Sequence, residues 1–368
     1  MPPAVVSKKL DVVFSRLEEG IRSGRWKIGD QMPTENELAT ELGCSRGTIS
    51  KALARLEHAG RIERRPRAGT RVIDNKAPPP PQPSIGLDAW GFICPGDQHE
   101  GIWRIGRGFQ QAAFAAKDRS LMLSTGENFR KEAEIVGRLH EFKVKGAVLY
   151  PVVQTPQDQI YYSQMILASK LPLVLVDLNL PGTNRPAVVT DAIHAGKTIT
   201  QHLLAQNCRK LGFLANYAWT PGVRDRYLGY LQALEEAGIP EDRRRVFFSP
   251  EMHANFDDPL GEPTEIARRY LARKPDIDAV VCSNDFFAIA LVRVAPEFGL
   301  RVPRDFRVVG IDDYSIAAEC EVPVTTYRVD YEKLGRLSFE LLKKTAEGQT
   351  DDYPEIQVRG KLVVRTSG

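Results

Sequence analysis

The chain has 368 residues, a length that favours two or three domains over one, and its 42% hydrophobic content is that of a globular protein able to bury a sizeable core. No run approaches the roughly 18 apolar residues of a membrane span, the start MPPAVVSKKLDVVF lacks a basic-then-apolar export signal, and the five scattered cysteines form no C-x-x-C pair, which leaves a reduced, cytoplasmic setting as the expectation. The net charge of +3 is uneven: residues 1–76 hold 15 Lys and Arg against 10 Asp and Glu, and the remainder holds 35 against 37, so only the front end is expected to meet a polyanion.

In chain order, Leu10, Val13, Phe14, Leu17 and Ile21 recur at helical spacing and predict a first helix. GDQMPTENELATELG follows, in which Thr34 caps the next helix and Glu37 bonds back to it. Leu38 and Leu42 face inward, and Gly43 stops that helix. Ser45 caps a third helix whose buried stripe is Ile49, Ala52, Leu53 and Leu56. Only a few residues separate the last two helices, which makes a helix-turn-helix.

The third helix leaves Arg46, Gly47, Thr48, Ser50 and Lys51 near its exposed N-terminal end, the part of such a motif that reaches base edges in the major groove. Arg46 suits guanine O6 and N7, while Thr48 and Ser50 suit bases or phosphate. RIERRPRAGTRVI then reads as two short strands joined by a turn at Pro66 to Gly69, crowded by Arg64, Arg65, Arg67 and Arg71. A basic ribbon beside a recognition helix is a wing that lies along phosphate or in the minor groove. The competing reading, a winged helix used for protein contacts, is disfavoured by the arginines.

The stretch MPTENELATELGCSRGTISKALARLEHAGRIERRPRAGTRV resembles the winged-helix domain of GntR-type bacterial regulators, over roughly residues 7–73. The likeness rests on Pro33-x-Glu35 at the start of the second helix, Ser45-Arg46 opening the third, Ala52 and Leu56 within it, and Gly69-Thr70 closing the wing. It implies that Glu35, Ser45, Gly69 and Thr70 join the DNA-binding set. Two positions depart from the pattern: Asn36 stands where many members carry Arg, and Arg67 where the wing tip usually has Gly.

NKAPPPPQPS, from Asn75 to Ser84, marks a boundary, because consecutive prolines favour extended polyproline geometry and act as a semi-rigid spacer. The expected organisation is a DNA-binding domain at 1–75, a linker at 76–87 and an effector-binding domain at 88–368. Beyond the linker, WGFICPG, LMLSTG, GAVLYP, LPLVLVDL, PAVVTD, LGFLAN, VFFS, AVVCSND and FRVVGIDD alternate with amphipathic segments such as RYLGYLQALEEAG. That alternation predicts parallel sheets in βαβ units, and the span is too long for one small sheet. The fold class expected is therefore α/β: a winged helix-turn-helix followed by a two-lobed, doubly wound parallel-sheet domain.

In such folds ligands sit at the carboxyl ends of strands. The polar residues there are Asp97, Asp177, Asp191, Asn284, Asp285, Asp312 and Asp313, with Arg224 and Arg226 opening a helix. Carboxylates, an amide and an arginine suit a neutral molecule with many hydroxyls. Trp90, Trp103, Trp219, Phe286 and Phe287 are candidates to pack on a sugar face. Each residue has an ordinary alternative, since strand-end aspartates often cap helices and aromatics usually fill cores; the convergence on one edge is what favours a site.

VVTDAIHAGKTITQHLLAQNCRKLGFLAN, RDRYLGYLQALEEAGI, AVVCSNDFFAIALVRVAPEFGLRVPRDFRVVGIDDYSIA and VRGKLVVRTSG resemble the effector domain of LacI/GalR-type repressors, over roughly residues 88–366. The resemblance implies effector contacts from Asp177, Arg226, Asn284 and Asp312, alongside Asp97, Trp103, Trp219 and Phe286 proposed from position. A GntR-type head on such a body is similar to the arabinose repressors of some bacteria. The proline-rich linker cannot be the hinge helix of LacI-type proteins, so coupling must work differently.

The reading is a homodimeric repressor whose partners are double-stranded operator DNA and a small effector, most simply a sugar, with no cofactor, metal or membrane. A ligand-free architectural DNA-binding protein is the rival. An enzyme is weaker still: GRGFQQ is only a partial glycine motif, the six histidines show no H-E-x-x-H, and no G-x-S-x-G occurs.

Overall fold

The first unit is a three-helix cluster closed by a hairpin: α1 (Ala4–Arg22), α2 (Glu35–Leu42), α3 (Arg46–His58), β1 (Ile62–Arg65) and β2 (Gly69–Val72). The computed structural model describes residues 4–65, 69–73, 86–96, 98–126, 129–153, 155–216, 220–250, 258–349 and 354–368. Thr34 caps α2 as a reciprocal box, its hydroxyl accepting from Glu37 N–H at 3.4 Å and its own N–H donating to Glu37 Oε2 at 2.7 Å. Gly43 ends the helix at φ 60°, a conformation that a side chain would strain. Ser45 caps α3 by accepting from Thr48 N–H at 3.2 Å. β1 and β2 pair antiparallel with Ile62 opposite Val72. Both bury with Val13, Leu17, Ile21, Leu38, Ile49, Ala52, Leu53 and Leu56, the stripe residues picked out by their spacing. Burying side chains of this size contributes about 1.5–3 kcal/mol each, which is what holds so small a unit together.

A second unit spans Ile85–Gly368. Its elements are β3 (Ala89–Cys94), α4 (Glu100–Ala115), β4 (Arg119–Ser124), α5 (Phe129–Arg138), β5 (Gly146–Leu149), α6 (Pro156–Ala168), β6 (Leu173–Val176), β7 (Ala187–Thr190), α7 (Ala192–Ala205), β8 (Leu211–Asn216), α8 (Pro221–Glu236), β9 (Val246–Ser249), α9 (Gly261–Ala272), β10 (Ala279–Cys282), α10 (Asp285–Val294), β11 (Arg307–Asp312), α11 (Ser315–Glu319), β12 (Thr325–Arg328), α12 (Tyr331–Ala346), β13 (Glu355–Val358) and β14 (Lys361–Val363).

The strands form two six-stranded sheets, ordered β13-β7-β6-β5-β3-β4 in the first lobe and β14-β12-β11-β10-β8-β9 in the second. Every pairing is parallel except β12 with β14. Parallel strands covered on both faces read as continuous apolar runs, which is why Leu173–Val176 and Ala279–Cys282 are wholly buried. The chain leaves the first lobe after β7, returns after β12 to lay α12 on that lobe, and crosses again between β13 and β14. These crossings are stitched together: Arg359 Nε donates to Asp191 Oδ2 at 2.8 Å, and Gly360 N–H donates to the Tyr327 hydroxyl at 2.7 Å.

Helices α7 and α8 cross closely enough that a Cβ on Gly196 would lie 1.9 Å from the carbonyl oxygen of Arg226. The absent side chain therefore sets where Arg226 stands. Among the described residues no helix is long and apolar enough to cross a membrane.

Candidate functional sites

In the first unit the start of α3 is exposed at Ser45, Arg46, Gly47 and Lys51, with Thr48 and Ser50 half-buried. Ser45 Oγ lies 2.8 Å from Thr48 Oγ1, so these two hydroxyls are partly committed to each other. Glu35, at the start of α2, accepts from Arg46 Nε at 3.0 Å and from Arg64 Nη2 at 2.6 Å. Its carboxyl is held below the ordinary range, first by the Arg46 hydrogen bond and further by Ser50 and the Arg64 charge. One carboxylate thus ties α2, α3 and β1 together. It orients two arginines rather than facing a phosphate itself, since two anions would repel. Gly69 (φ 83°) and Thr70 lie on β2, where Thr70 accepts from Met32 N–H at 2.8 Å through its carbonyl. Arg67 lies outside the described residues, as does the side chain of Arg65.

In the second unit a cavity of about 330 Å³ opens at the carboxyl ends of strands from both lobes. Asp177, Arg226, Asn284, Phe286 and Asp312, five of the residues picked out from the sequence, line it together. Asp177 (φ 67°) and Asp312 (φ 120°) hold backbone conformations that side-chain-bearing residues rarely adopt, a strain typical of sites rather than of plain strand ends. Arg226 Nη2 donates to Asp312 Oδ1 at 2.8 Å, and its Nη1 donates to the carbonyl of Ser283. Burial raises the Asp312 carboxyl from its usual range, with Arg226 pulling against it. Asp177 accepts from the Tyr150 hydroxyl at 2.9 Å and is likewise raised by burial. Asn284 caps α10, its Oδ1 accepting from Phe287 N–H at 3.1 Å.

An aromatic wall completes the cavity. Tyr314 sits 5.1 Å from Phe286 and 5.2 Å from His99 between ring centres, and stacks on Tyr331 at 6.1 Å. Burial lowers the His99 imidazole, favouring its neutral form. Two polar atoms of the lining, Thr190 Oγ1 and Arg226 Nε, are buried with no hydrogen-bond partner among the described residues. Such atoms are rarely left unmet, because an unpaired buried polar group is costly.

Trp103 is not in this cavity. It lies one residue past Ile102 on α4, about 100° around the helix, and lines a separate concavity, where Arg107 stacks over it at 4.7 Å. Asp97 and Trp219 lie outside the described residues. Asp191 caps α7 by accepting from His194 N–H at 3.0 Å, and Asp313 pairs with Arg328 and Arg365. Asp285 is buried against Thr326 Oγ1 at 2.6 Å and Tyr314 N–H at 2.9 Å. Arg224 is exposed and pairs with Asp225. These four are structural.

Residues 10–72 match the bacterial regulatory proteins of the gntR family, and residues 200–368 match the periplasmic binding protein-like domain. The chain is a DNA-binding transcriptional regulator. An arabinose metabolism transcriptional repressor of Geobacillus stearothermophilus is 27% identical to the regulator over 352 residues, 94% of each chain. A solved transcriptional regulator CelR–cellobiose complex superposes with a TM-score of 0.67 at 24% identity, covering 92% of the regulator and 100% of that chain. The lac repressor dimer bound to operator and the anti-inducer ONPF gives 0.63 at 20% identity, covering 76% and 93%. At these identities the two solved structures speak for the regulator's fold.

Sequence reasoning missed His99, Tyr150, Thr190, Tyr314 and Tyr331, all of which line the cavity. Tyr150, Thr190 and Tyr314 follow or end strands, and the strand-end rule that selected the aspartates applied equally to them. Tyr331 opens a helix that returns from the other lobe, and no local signal marks that return.

Proposed function

We propose that the regulator is a repressor whose hold on operator DNA is set by an uncharged, polyhydroxylated ligand, a sugar, bound in the cavity between the lobes. The observation that carries this is the set Asp177, Asp312 and Arg226 around one enclosed space, with Arg226 Nε and Thr190 Oγ1 still unmet among the described residues. A sugar hydroxyl both donates and accepts, so it suits carboxylates and a guanidinium at once. Tyr314 and Phe286 offer faces for the C–H side of a ring. An anionic ligand is disfavoured: among the described residues Asp177 and Asp312 face the space with Arg226, whose Nη atoms are already engaged. The names of the arabinose repressor and the cellobiose complex support a sugar as the class.

Arg46, Gly47, Lys51, Thr48, Ser50 and the arginines of the hairpin are the base- and phosphate-contacting set in this reading, with Glu35 positioning Arg46 and Arg64. The DNA-binding part is residues 1–75 and the effector-binding part 88–368, joined by 76–87. A homodimer places two heads on a two-fold-related operator. Ligand closing the lobes changes how the heads fit, and a coupling of about 1–3 kcal/mol is enough for a switch.

The test is fluorescence anisotropy of a labelled operator duplex titrated with full-length protein, with and without a panel of pentoses, hexoses, disaccharides, sugar acids and nucleosides. A neutral sugar should shift the operator affinity, and an Asn284→Ala protein should need much more of it. A response to sugar acids alone would overturn the charge argument. No response across the panel would favour a ligand-free architectural role.

A further inference from the structure

A second concavity, of about 750 Å³, is lined by the start of α4, the segment after β11, the end of β12 and the crossing at 359–361. Two carboxylates in its wall are each shared by two arginines. Glu332, on α12 in the first lobe, accepts from Arg104 Nε at 3.4 Å and from Arg107. Asp313, after β11 in the second lobe, accepts from Arg365 Nη2 at 2.5 Å and from Arg328. The Asp313 group therefore carries one excess positive charge, while Glu100, 3.7 Å from Arg104 Nη1, balances the Glu332 group. Arg104 Nη1 also donates to the main-chain carbonyl of Asp313 at 3.4 Å, so the two groups meet where the lobes meet. Lys361 adds a further cation on the same wall and makes no ion pair among the described residues.

The excess that remains is that of the Asp313 group and Lys361. Glu100 accepts from the Ser315 N–H at 2.8 Å and hydroxyl at 3.0 Å and keeps its charge beside Arg104. Asp330 caps α12 by accepting from Lys333 N–H at 3.1 Å. Burial works to raise both the Glu332 and Asp313 carboxyls, yet a main-chain hydrogen bond and Arg104 hold Glu332 below the ordinary range, and Arg328 and Arg365 do the same for Asp313, so both stay charged. Arg107 and Arg328 are the open members, their side chains 44% and 41% exposed. Guanidinium edges suit phosphate oxygens in a bidentate fit. Trp103, beneath Arg107, presents an apolar face beside them.

We propose that this concavity is a second effector site, which takes a small dianionic phosphate and draws on both lobes to do so. Its contacts come from Arg104 and Arg107 on one lobe and Arg328 and Arg365 on the other. Occupancy therefore depends on the angle between the lobes and is coupled to ligand in the cleft.

Isothermal titration of the full-length protein at fixed ionic strength tests this with inorganic phosphate, sulfate, glucose 6-phosphate and glucose. One phosphate site per chain is expected. It should weaken at least tenfold in an Arg107→Gln/Arg328→Gln protein and persist in Asn284→Ala. Phosphate should bind more tightly at pH 7.5 than at pH 5.5, because inorganic phosphate loses its second proton on the way between them and gains a second negative charge, while sulfate should not change. Glucose 6-phosphate binding better than phosphate identifies a phosphorylated metabolite lying on Trp103; equal binding identifies free phosphate. Lys361→Gln breaks no ion pair and gives the same test, at smaller amplitude, should the double variant misfold. Absence of saturable binding at millimolar phosphate overturns the proposal, as does binding that survives in the folded arginine variant or is lost in Asn284→Ala.

Discussion

Arg46 Nε donates to Glu35 Oε2 at 3.0 Å, and this bond aims the arginine at the start of α3 while leaving its terminal nitrogens free to reach a base. Arg46 is 71% exposed, so without Glu35 it would sample many rotamers. Glu35→Ala should weaken binding to operator about tenfold or more. Binding to a scrambled duplex should hold steady or strengthen, because a negative charge has gone. Anisotropy titrations of both duplexes at two salt concentrations check this; equal losses on both would show that Glu35 does not act through orientation.

Asp312→Asn removes the charge that faces Arg226 in the cleft. Losing one member of a buried ion pair typically costs about 3–5 kcal/mol, so chemical denaturation of the second unit should move to lower denaturant. The operator response to sugar should disappear, while DNA affinity in the absence of sugar remains. A variant of unchanged stability would mean that the Arg226–Asp312 bond is not holding the site together.

Glu132 on α5 is buried, with Oε2 accepting from the Tyr162 hydroxyl at 2.8 Å and from Thr125 Oγ1 at 3.3 Å. Burial pushes its carboxyl up from an ordinary 4.5 to about 7, against those two hydrogen bonds. The unfolded chain gives up this proton near pH 4.5 and the folded one only near pH 7. The stability this group contributes is therefore complete at acid pH and falls by roughly 3 kcal/mol as pH rises through that window. Glu132→Gln should match the native protein near pH 4 and exceed it at pH 8. Denaturation midpoints at both values decide it, and a variant less stable at pH 8 would reverse the sign argued here.

Gly196→Ala would drive a methyl group into the Arg226 carbonyl. Separating α7 from α8 should cost about 1–3 kcal/mol and shift Arg226 within the cleft. Sugar affinity should fall with stability, whereas operator affinity without sugar should not. Unchanged sugar affinity in a destabilised protein would separate the crossing from the site.

The head was readable almost residue by residue, because its signals are local: Thr34 with Glu37, Gly43, Ser45, and a stripe from Ile49 to Leu56 at fixed spacing. The nine apolar strands of the body were equally plain. Thr325–Arg328, Glu355–Val358 and Lys361–Val363 were not, since TTYR, EIQV and KLV are short, mixed in polarity and, in two cases, at sheet edges. The cleft aspartates followed from strand ends, but Tyr331 reaches the cleft only because the chain crosses back, which is tertiary information. Trp103 shows the converse failure: residue type pointed to sugar, and the phase of α4 pointed the ring elsewhere.

The three crossings bear on how the body is made. β13 completes the first sheet and β14 the second, and Ser367 is buried, its hydroxyl donating to the carbonyl of Val308 at 2.5 Å. A ribosome that has delivered 350 residues has therefore finished neither lobe. Each half waits, one edge open, for the same short stretch from Glu355 to Val363, and a stop codon shortly before it would leave both lobes incomplete, however intact the DNA-binding head.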